Sequence, residues 1–154
     1  MAMVLSRLGA LDLDRAAALH AASFVPLGER AWTRQDFAEL LASPGVAGFL
    51  LEIEGGDAGL ALCRIAADEA ELLTIAVAPT RRRQGAGSRL LQAVVERVRA
   101  SGARSLFLEV AGDNEPARSL YGSWGFAPVG SRRAYYRRVS GDAVDAIVMR
   151  LSLS

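Results

Sequence analysis

The chain has no lysine. All 18 of its basic residues are arginine, and 17 acidic residues bring the formal charge to +1. A balance this close to zero offers no electrostatic footprint for a phosphate backbone, which argues against nucleic acid as a direct partner. Cysteine occurs once, as Cys63, so no internal disulfide can form, and a reducing, cytoplasmic compartment is the simpler setting. Cys63 alternates with apolar strand residues and has no resolving or activating partner in the sequence, so it reads as a buried small hydrophobe. Histidine also occurs once, as His20. Without a Cys/His cluster it reads as a surface or packing residue, and no metal is expected. Long apolar runs are missing too. The longest, near Val46–Leu51, is far too short to span a bilayer, and Met1–Arg7 lacks the apolar stretch of a signal peptide. A soluble protein without a membrane partner is expected.

What is present points to one compact unit. No Ser/Pro-rich linker or block of like charge divides the 154 residues, of which 51% are hydrophobic. A single domain over residues 1–154 is expected, burying roughly two-thirds of the surface its unfolded chain exposes. No long apolar stripe is left over for a partner copy, so the expected state is a monomer.

The hydrophobic period changes several times. Val4–Leu8 reads as a short strand, with Asp12 as cap of a helix over about Leu13–Ala22 and Thr33 as N-cap of a second helix carrying Phe37, Leu40 and Leu41 on one face. Three extended runs follow at Val46–Ile53, Ala58–Ile65 and Glu71–Val77, joined by short turns. A long helix over about Gly85–Ala100 presents Leu90, Leu91, Val94, Val95 and Val98 as an apolar stripe. Ser105–Val110 reads as a buried strand, Glu115–Trp124 as a helix stopped by Gly125, and Phe126–Arg138 and Ala143–Leu151 as two closing strands. The order β-α-α-β-β-β-α-β-α-β-β predicts an α+β domain. Its sheet is mixed and mostly antiparallel, with about seven strands, about four flanking helices and one parallel βαβ crossing.

The most informative local motif is Arg82-Arg83-Gln84-Gly85-Ala86-Gly87, between the strand ending at Val77 and the helix that follows. Backbone N–H groups at a helix start lack intrahelical partners, and glycines let an anion approach them, so the segment suits a pyrophosphate. Taken alone, such a glycine pair is equally ordinary turn chemistry. It is neither a Walker loop nor the dinucleotide fingerprint, because the Gly-Lys-Ser/Thr and the glycine spacing are missing.

With Leu72–Pro79 before it, this Arg-x-x-Gly-x-Gly segment resembles the acetyl-CoA signature of the GNAT N-acetyltransferase superfamily, and the element order is similar to the GNAT fold over nearly the whole chain. Three further segments resemble the RimI type within it, the ribosomal-protein alanine N-acetyltransferases. They are Leu108-Glu109-Val110 with Asn114 and Ser119–Phe126, then Arg132–Tyr136, and finally Asp145–Met149. The resemblance implies acetyl-CoA as cosubstrate, its pyrophosphate on the backbone of Arg82, Arg83, Gln84, Gly85, Ala86, Gly87 and Ser88. Its pantetheine arm would lie beside the strand that carries Ile75, Ala76 and Val77. A parallel strand pair that splays apart would leave backbone groups free for that arm. Asn114 would touch the cosubstrate, and it reads equally as the N-cap of the Glu115 helix.

The same resemblance maps a general base onto Glu109 and a general acid onto Tyr121, which also adjoins the cosubstrate. An amine attacks a thioester only when neutral, so a strand-end carboxylate can take its proton directly or through a water. A phenol with a pKa of about 10 can protonate a leaving thiolate of about 8.5 at a small cost. Structural readings stand beside these: Glu109 as a solvated strand-end carboxylate, and Tyr121 as a helix residue packed on the sheet. Glu71 is the second candidate base.

An α-amine has a pKa of about 7.7–8, against about 10.4 for lysine, so the lysine costs about 3–4 kcal/mol more to deprotonate at neutral pH. That is compatible with what the RimI-type resemblance implies: a protein N-terminus, such as the alanine of a small-subunit ribosomal protein, as acceptor, by direct attack in a ternary complex. A small-molecule amine, a lysine side chain and a catalytically idle acetyl-CoA-binding module are the alternatives. Tyr135 and Tyr136 would help wall the acceptor groove, although strand alternation allows only one of two neighbours to point into it. Arg132, Arg133, Arg137 and Arg138 read as a solvated basic strand or as a surface for an acidic partner. Trp32 is either an aromatic beside the acceptor or an anchor for the second helix, and Pro26–Ala31 departs from the family pattern by extra length.

Overall fold

The computed structural model describes residues 2–138 and 140–153; Met1 and Ser154, the ends of the expected domain, lie outside the described residues. The elements are β1 (Met3–Arg7), α1 (Leu13–Phe24), α2 (Arg34–Ala42), β2 (Val46–Ile53), β3 (Gly56–Ala66), β4 (Glu69–Val77), α3 (Ala86–Ala100), β5 (Ser105–Ala111), α4 (Glu115–Ser123), β6 (Ala127–Arg137) and β7 (Ala143–Ser152). They form the expected α+β fold, a seven-stranded sheet in the order β1-β2-β3-β4-β5-β7-β6 in which only β4 and β5 run parallel.

Local chemistry sets several boundaries. The Thr33 hydroxyl accepts from the Asp36 N–H at 3.1 Å and the Asp36 carboxylate accepts from the Thr33 N–H at 2.8 Å, a reciprocal cap that starts α2. The backbone bond from Thr33 holds the Asp36 carboxyl below its ordinary range. At α1 the expected residue, Asp12, holds the N-cap position but makes no side-chain bond into the helix. A 3-10 turn, Ala10–Asp12, runs straight into the helix, and Asp12 accepts from the Gly9 N–H at 2.9 Å, so it fastens the turn before α1 instead.

The sheet is covered on both faces. Leu90, Leu91, Val94, Val95 and Val98 of α3 are buried on one side; Leu13, Ala16 and Leu19 of α1 and Phe37 of α2 are buried on the other. A Cβ at Gly59 would stand 2.6 Å from the Ala76 carbonyl oxygen and 2.9 Å from Leu90 Cδ1. Glycine there lets α3 settle directly onto β3. Cys63 is free and fully buried, as its neighbours suggest, and burial pushes its thiol pKa up.

The parallel seam is where the sheet opens. β4 pairs with β5 only at Glu69↔Ser105, Ala70↔Leu106 and Glu71↔Phe107. Just beyond, Leu62 pairs with Thr74 and Cys63 with Leu72, which leaves Leu73 as an extra residue on β4. A bulge kinks the strand that carries it. From Leu72 to Val77 β4 keeps its ladder to β3 while its other edge departs from β5, and residues of α4 line the space that opens there.

Candidate active site

Two cavities meet at the open seam. The first, about 640 Å³, lies between the end of β4, the start of α3 and the inner face of α4. Of the residues expected to hold acetyl-CoA, Ile75, Val77, Arg82, Arg83, Gly85, Ala86, Gly87, Ser88, Asn114 and Tyr121 line it. Ala76 does not: its side chain is buried in the core on the α1 side, as strand alternation requires. Gln84 does not line the cavity either, and its Oε1 is the one buried side-chain polar atom without a partner among the described residues.

The residues present suit a phosphorylated ligand. Gly85 holds φ at 82° immediately before α3, and no side chain among the described residues caps that helix. The first N–H groups of α3 are therefore free to meet an anion, with Arg81, Arg82 and Arg83 on the same wall. A Cβ on Gly87 would come within 3.1 Å of Leu120 Cδ2, so glycine keeps α3 and α4 close. Asn114 caps α4, its Oδ1 accepting from the Ala117 N–H at 3.3 Å, while also lining both cavities.

The second cavity, about 550 Å³, lies on the far side of the seam and shares Phe24, Ile75, Asn114, Ala117 and Tyr121 with the first. Tyr121 stands at the junction. It is 5% exposed, packs edge-on to Phe126 at 5.7 Å, and is held well above the ordinary phenol range by burial. Glu109 lines the second cavity, with Oε1 3.1 Å from Arg132 Nη2. Glu71 is exposed and faces a neighbouring groove, which reaches Glu109 from outside.

Trp32 and His20 close the other side. The rings stack at 4.9 Å, and His20 Nδ1 accepts from the Trp32 N–H at 3.0 Å. Burial lowers the His20 pKa to about 4, so the ring is neutral and carries its proton on Nε2. His20 is thus the packing residue expected from the sequence, and it also walls the cavity.

Two expectations for the last hairpin are corrected. Tyr135 and Tyr136 both line the second cavity, because a bulge between Arg132 and Tyr136, with Ala134 at φ 51°, breaks the alternation. The arginines are not uniformly solvated either: Arg132 pairs with Glu109, and Arg138 pairs with Glu29 at 2.8 Å and Asp113 at 2.6 Å. Arg133 and Arg137 remain exposed.

The Arg138 side chain is only 11% exposed and ties together the segment of extra length, the turn after β5 and the end of β6. Burial raises the Glu29 carboxyl pKa, and Arg138 opposes that. Sequence reasoning missed Phe24, Glu29, Thr74 and Arg138 as wall residues. Arg138 and Glu29 lie 109 positions apart, outside the reach of any local pattern.

The site is thus a basic, glycine-edged cavity that shares the Tyr121 wall with a second cavity holding a carboxylate. Residues 13–126 match the Acetyltransferase (GNAT) family, and the chain belongs to it and is an acetyltransferase. The chain is 40% identical over 106 residues to the ribosomal protein bS18-alanine N-acetyltransferase of Escherichia coli K12, covering 69% of this chain and 71% of that protein. It is 33% identical over 144 residues to a Bacillus subtilis protein provisionally named for the same activity, covering 93% and 91% of the two chains. The crystal structure of the Escherichia coli ribosomal-protein-S18-alanine N-acetyltransferase superposes with a TM-score of 0.89 at 33% identity, over 99% of this chain and 95% of the other.

Proposed function

We propose that this chain is a single catalytic domain that transfers an acetyl group from acetyl-CoA to a protein N-terminal α-amine, with the N-terminal alanine of a small-subunit ribosomal protein as acceptor. The observation that carries the reading is the meeting of the two cavities at Tyr121, with Glu109 facing the second. The RimI-type relatives support the choice of acceptor. The first cavity takes acetyl-CoA: the backbone from Gly85 to Ser88 and the Arg81–Arg83 wall hold the pyrophosphate, and the free edge of β4 beside Ile75 and Val77 meets the amide-bearing arm. The acceptor enters the second cavity between Trp32, Tyr135 and Tyr136. The reaction belongs in the cytoplasm, and the working unit is a monomer.

In the ternary complex Glu109 takes a proton from the ammonium, directly or through a water. The neutral nitrogen forms a bond to the acetyl carbon, the carbon–sulfur bond breaks as Tyr121 gives its proton to the departing thiolate, and the second proton shed by the nitrogen restores the phenol directly or through a water, leaving the amide and the free thiol. Burial raises the pKa of the phenol, and it raises that of a thiolate formed beside it in the same way, so the transfer stays nearly matched. An α-amine asks less of the base than lysine does, which suits a single glutamate held by Arg132.

Steady-state turnover with acetyl-CoA on a peptide beginning with alanine, compared with lysine peptides and polyamines, tests the reading. A preference for the alanine peptide supports it. Faster turnover of a polyamine or lysine peptide overturns the acceptor assignment, and no turnover of any amine with acetyl-CoA bound makes the chain a binding module.

A further inference from the structure

The β6–β7 hairpin breaks its own ladder beside the second cavity. Arg132 pairs with Ala146 and Tyr136 with Val144, so Arg133, Ala134 and Tyr135 all lie opposite the single residue Asp145. In a regular strand Arg132 and Tyr136 would share one face and Tyr135 would point to the other. Instead Arg132 reaches Glu109 at 3.1 Å, its guanidinium lies 4.9 Å from the centre of the Tyr135 ring, and Tyr135 and Tyr136 both line the cavity, ring to ring at 5.3 Å. The bulge turns the neighbouring Tyr135 and Tyr136 toward one cavity and brings Arg132 up to Tyr135 and Glu109.

Such a bulge needs a fastening. Ala134 sits at φ 51°, a left-handed backbone that residues with a Cβ disfavour. Asp145 supplies the fastening from both ends. Its carboxylate accepts from the Ala134 N–H at 2.7 Å, and its backbone carbonyl accepts from the Gly112 N–H at 2.8 Å, just past the end of β5. One residue thus ties the bulge to the strand that carries Glu109.

We infer that Asp145 is a positioning residue for the acceptor. By holding Ala134 in its left-handed turn it sets Tyr135 and Tyr136 in the wall of the second cavity and Arg132 against Glu109, and so governs acceptor affinity without touching the first cavity. The inference rests on the reading of the second cavity as the acceptor site.

The test compares Asp145→Ala, Asp145→Asn and the double variant Asp145→Ala with Ala134→Gly. Asparagine keeps an acceptor oxygen, and glycine adopts positive φ without help. Asp145→Ala is expected to raise the KM for the acceptor about fivefold to tenfold, on the order of one lost hydrogen bond, with the KM for acetyl-CoA unchanged. Asp145→Asn is expected to stay within about twofold of the parent, and the double variant to recover most of the loss. If Asp145→Ala folds poorly, Ala134→Val strains the same turn with a β-branched side chain and is expected to raise the same KM.

Amide hydrogen exchange at Ala134 and Tyr135, measured without substrate, should quicken in Asp145→Ala and return in Asp145→Asn. An unchanged acceptor KM, equal rises in both KM values, or unaltered exchange overturns the inference. The acceptor is whichever amine the parent enzyme turns over: acetylation of another amine defeats the N-terminal reading, while the KM comparison still decides Asp145. With no turnover at all, the exchange result decides it.

Discussion

Glu109 Oε1 and Arg132 Nη2 are 3.1 Å apart, joining β5 to the hairpin that walls the second cavity. The pair leaves Oε2 of Glu109 to receive a proton. Glu109→Gln keeps the shape and removes the basicity, so kcat is expected to fall about 10²- to 10⁴-fold while acetyl-CoA still binds. Rapid-mixing kinetics and calorimetric titration of the cosubstrate check both halves. Arg132 is 56% exposed, so Arg132→Ala should change unfolding stability by less than about 1 kcal/mol.

Tyr121→Phe removes one oxygen and leaves the ring against Phe126. Stability is expected to move by no more than about 1.5 kcal/mol, and kcat to fall about 10²-fold or more. Full turnover in this variant would reduce Tyr121 to a packing residue.

Arg138→Ala strips the cation from Glu29, whose side chain is 15% exposed. Urea denaturation is expected to show a loss of about 3 kcal/mol, because an unpaired charge is left partly buried. Adding Glu29→Gln should restore most of it, since the orphaned group is then neutral. A loss below about 0.5 kcal/mol would show that this clamp contributes nothing measurable to the fold.

His20 titrates at about 4 in the fold against an ordinary value of 6.5. Below pH 6.5 the unfolded chain therefore binds more protons than the folded one. Stability is full above that pH and falls as the pH drops toward 4, by on the order of 3 kcal/mol from this residue. His20→Asn should start lower, having lost its ring stacking, and lack this share of the slope. Parallel slopes for the two proteins between pH 6.5 and 4 would contradict the assignment.

The fold was legible wherever the signal is local. The apolar run Val46–Ile53 is a strand with those same ends, Thr33 starts α2 through a side-chain bond three residues long, and the α3 stripe faces the sheet as its spacing requires. Long-range events were not legible. β7 inserts between β5 and β6, and the Arg138 clamp spans more than a hundred residues, and neither follows from a window of sequence.

The candidate site divides in the same way. The glycine loop, Glu109 and Tyr121 were visible through motif resemblance. The convergence of Tyr135 and Tyr136 was not, because no residue type announces that Ala134 will take a positive φ. The Asp145 side chain that meets it lies 11 residues away on the partner strand.

The most direct test of the account offers the enzyme one peptide with an N-terminal alanine and an internal lysine, together with acetyl-CoA, and locates the acetyl group by fragmentation mass spectrometry. The account predicts acetyl on the alanine α-nitrogen with the lysine untouched. Acetyl on the lysine Nζ, or an unmodified peptide beside a readily acetylated small amine, would contradict it.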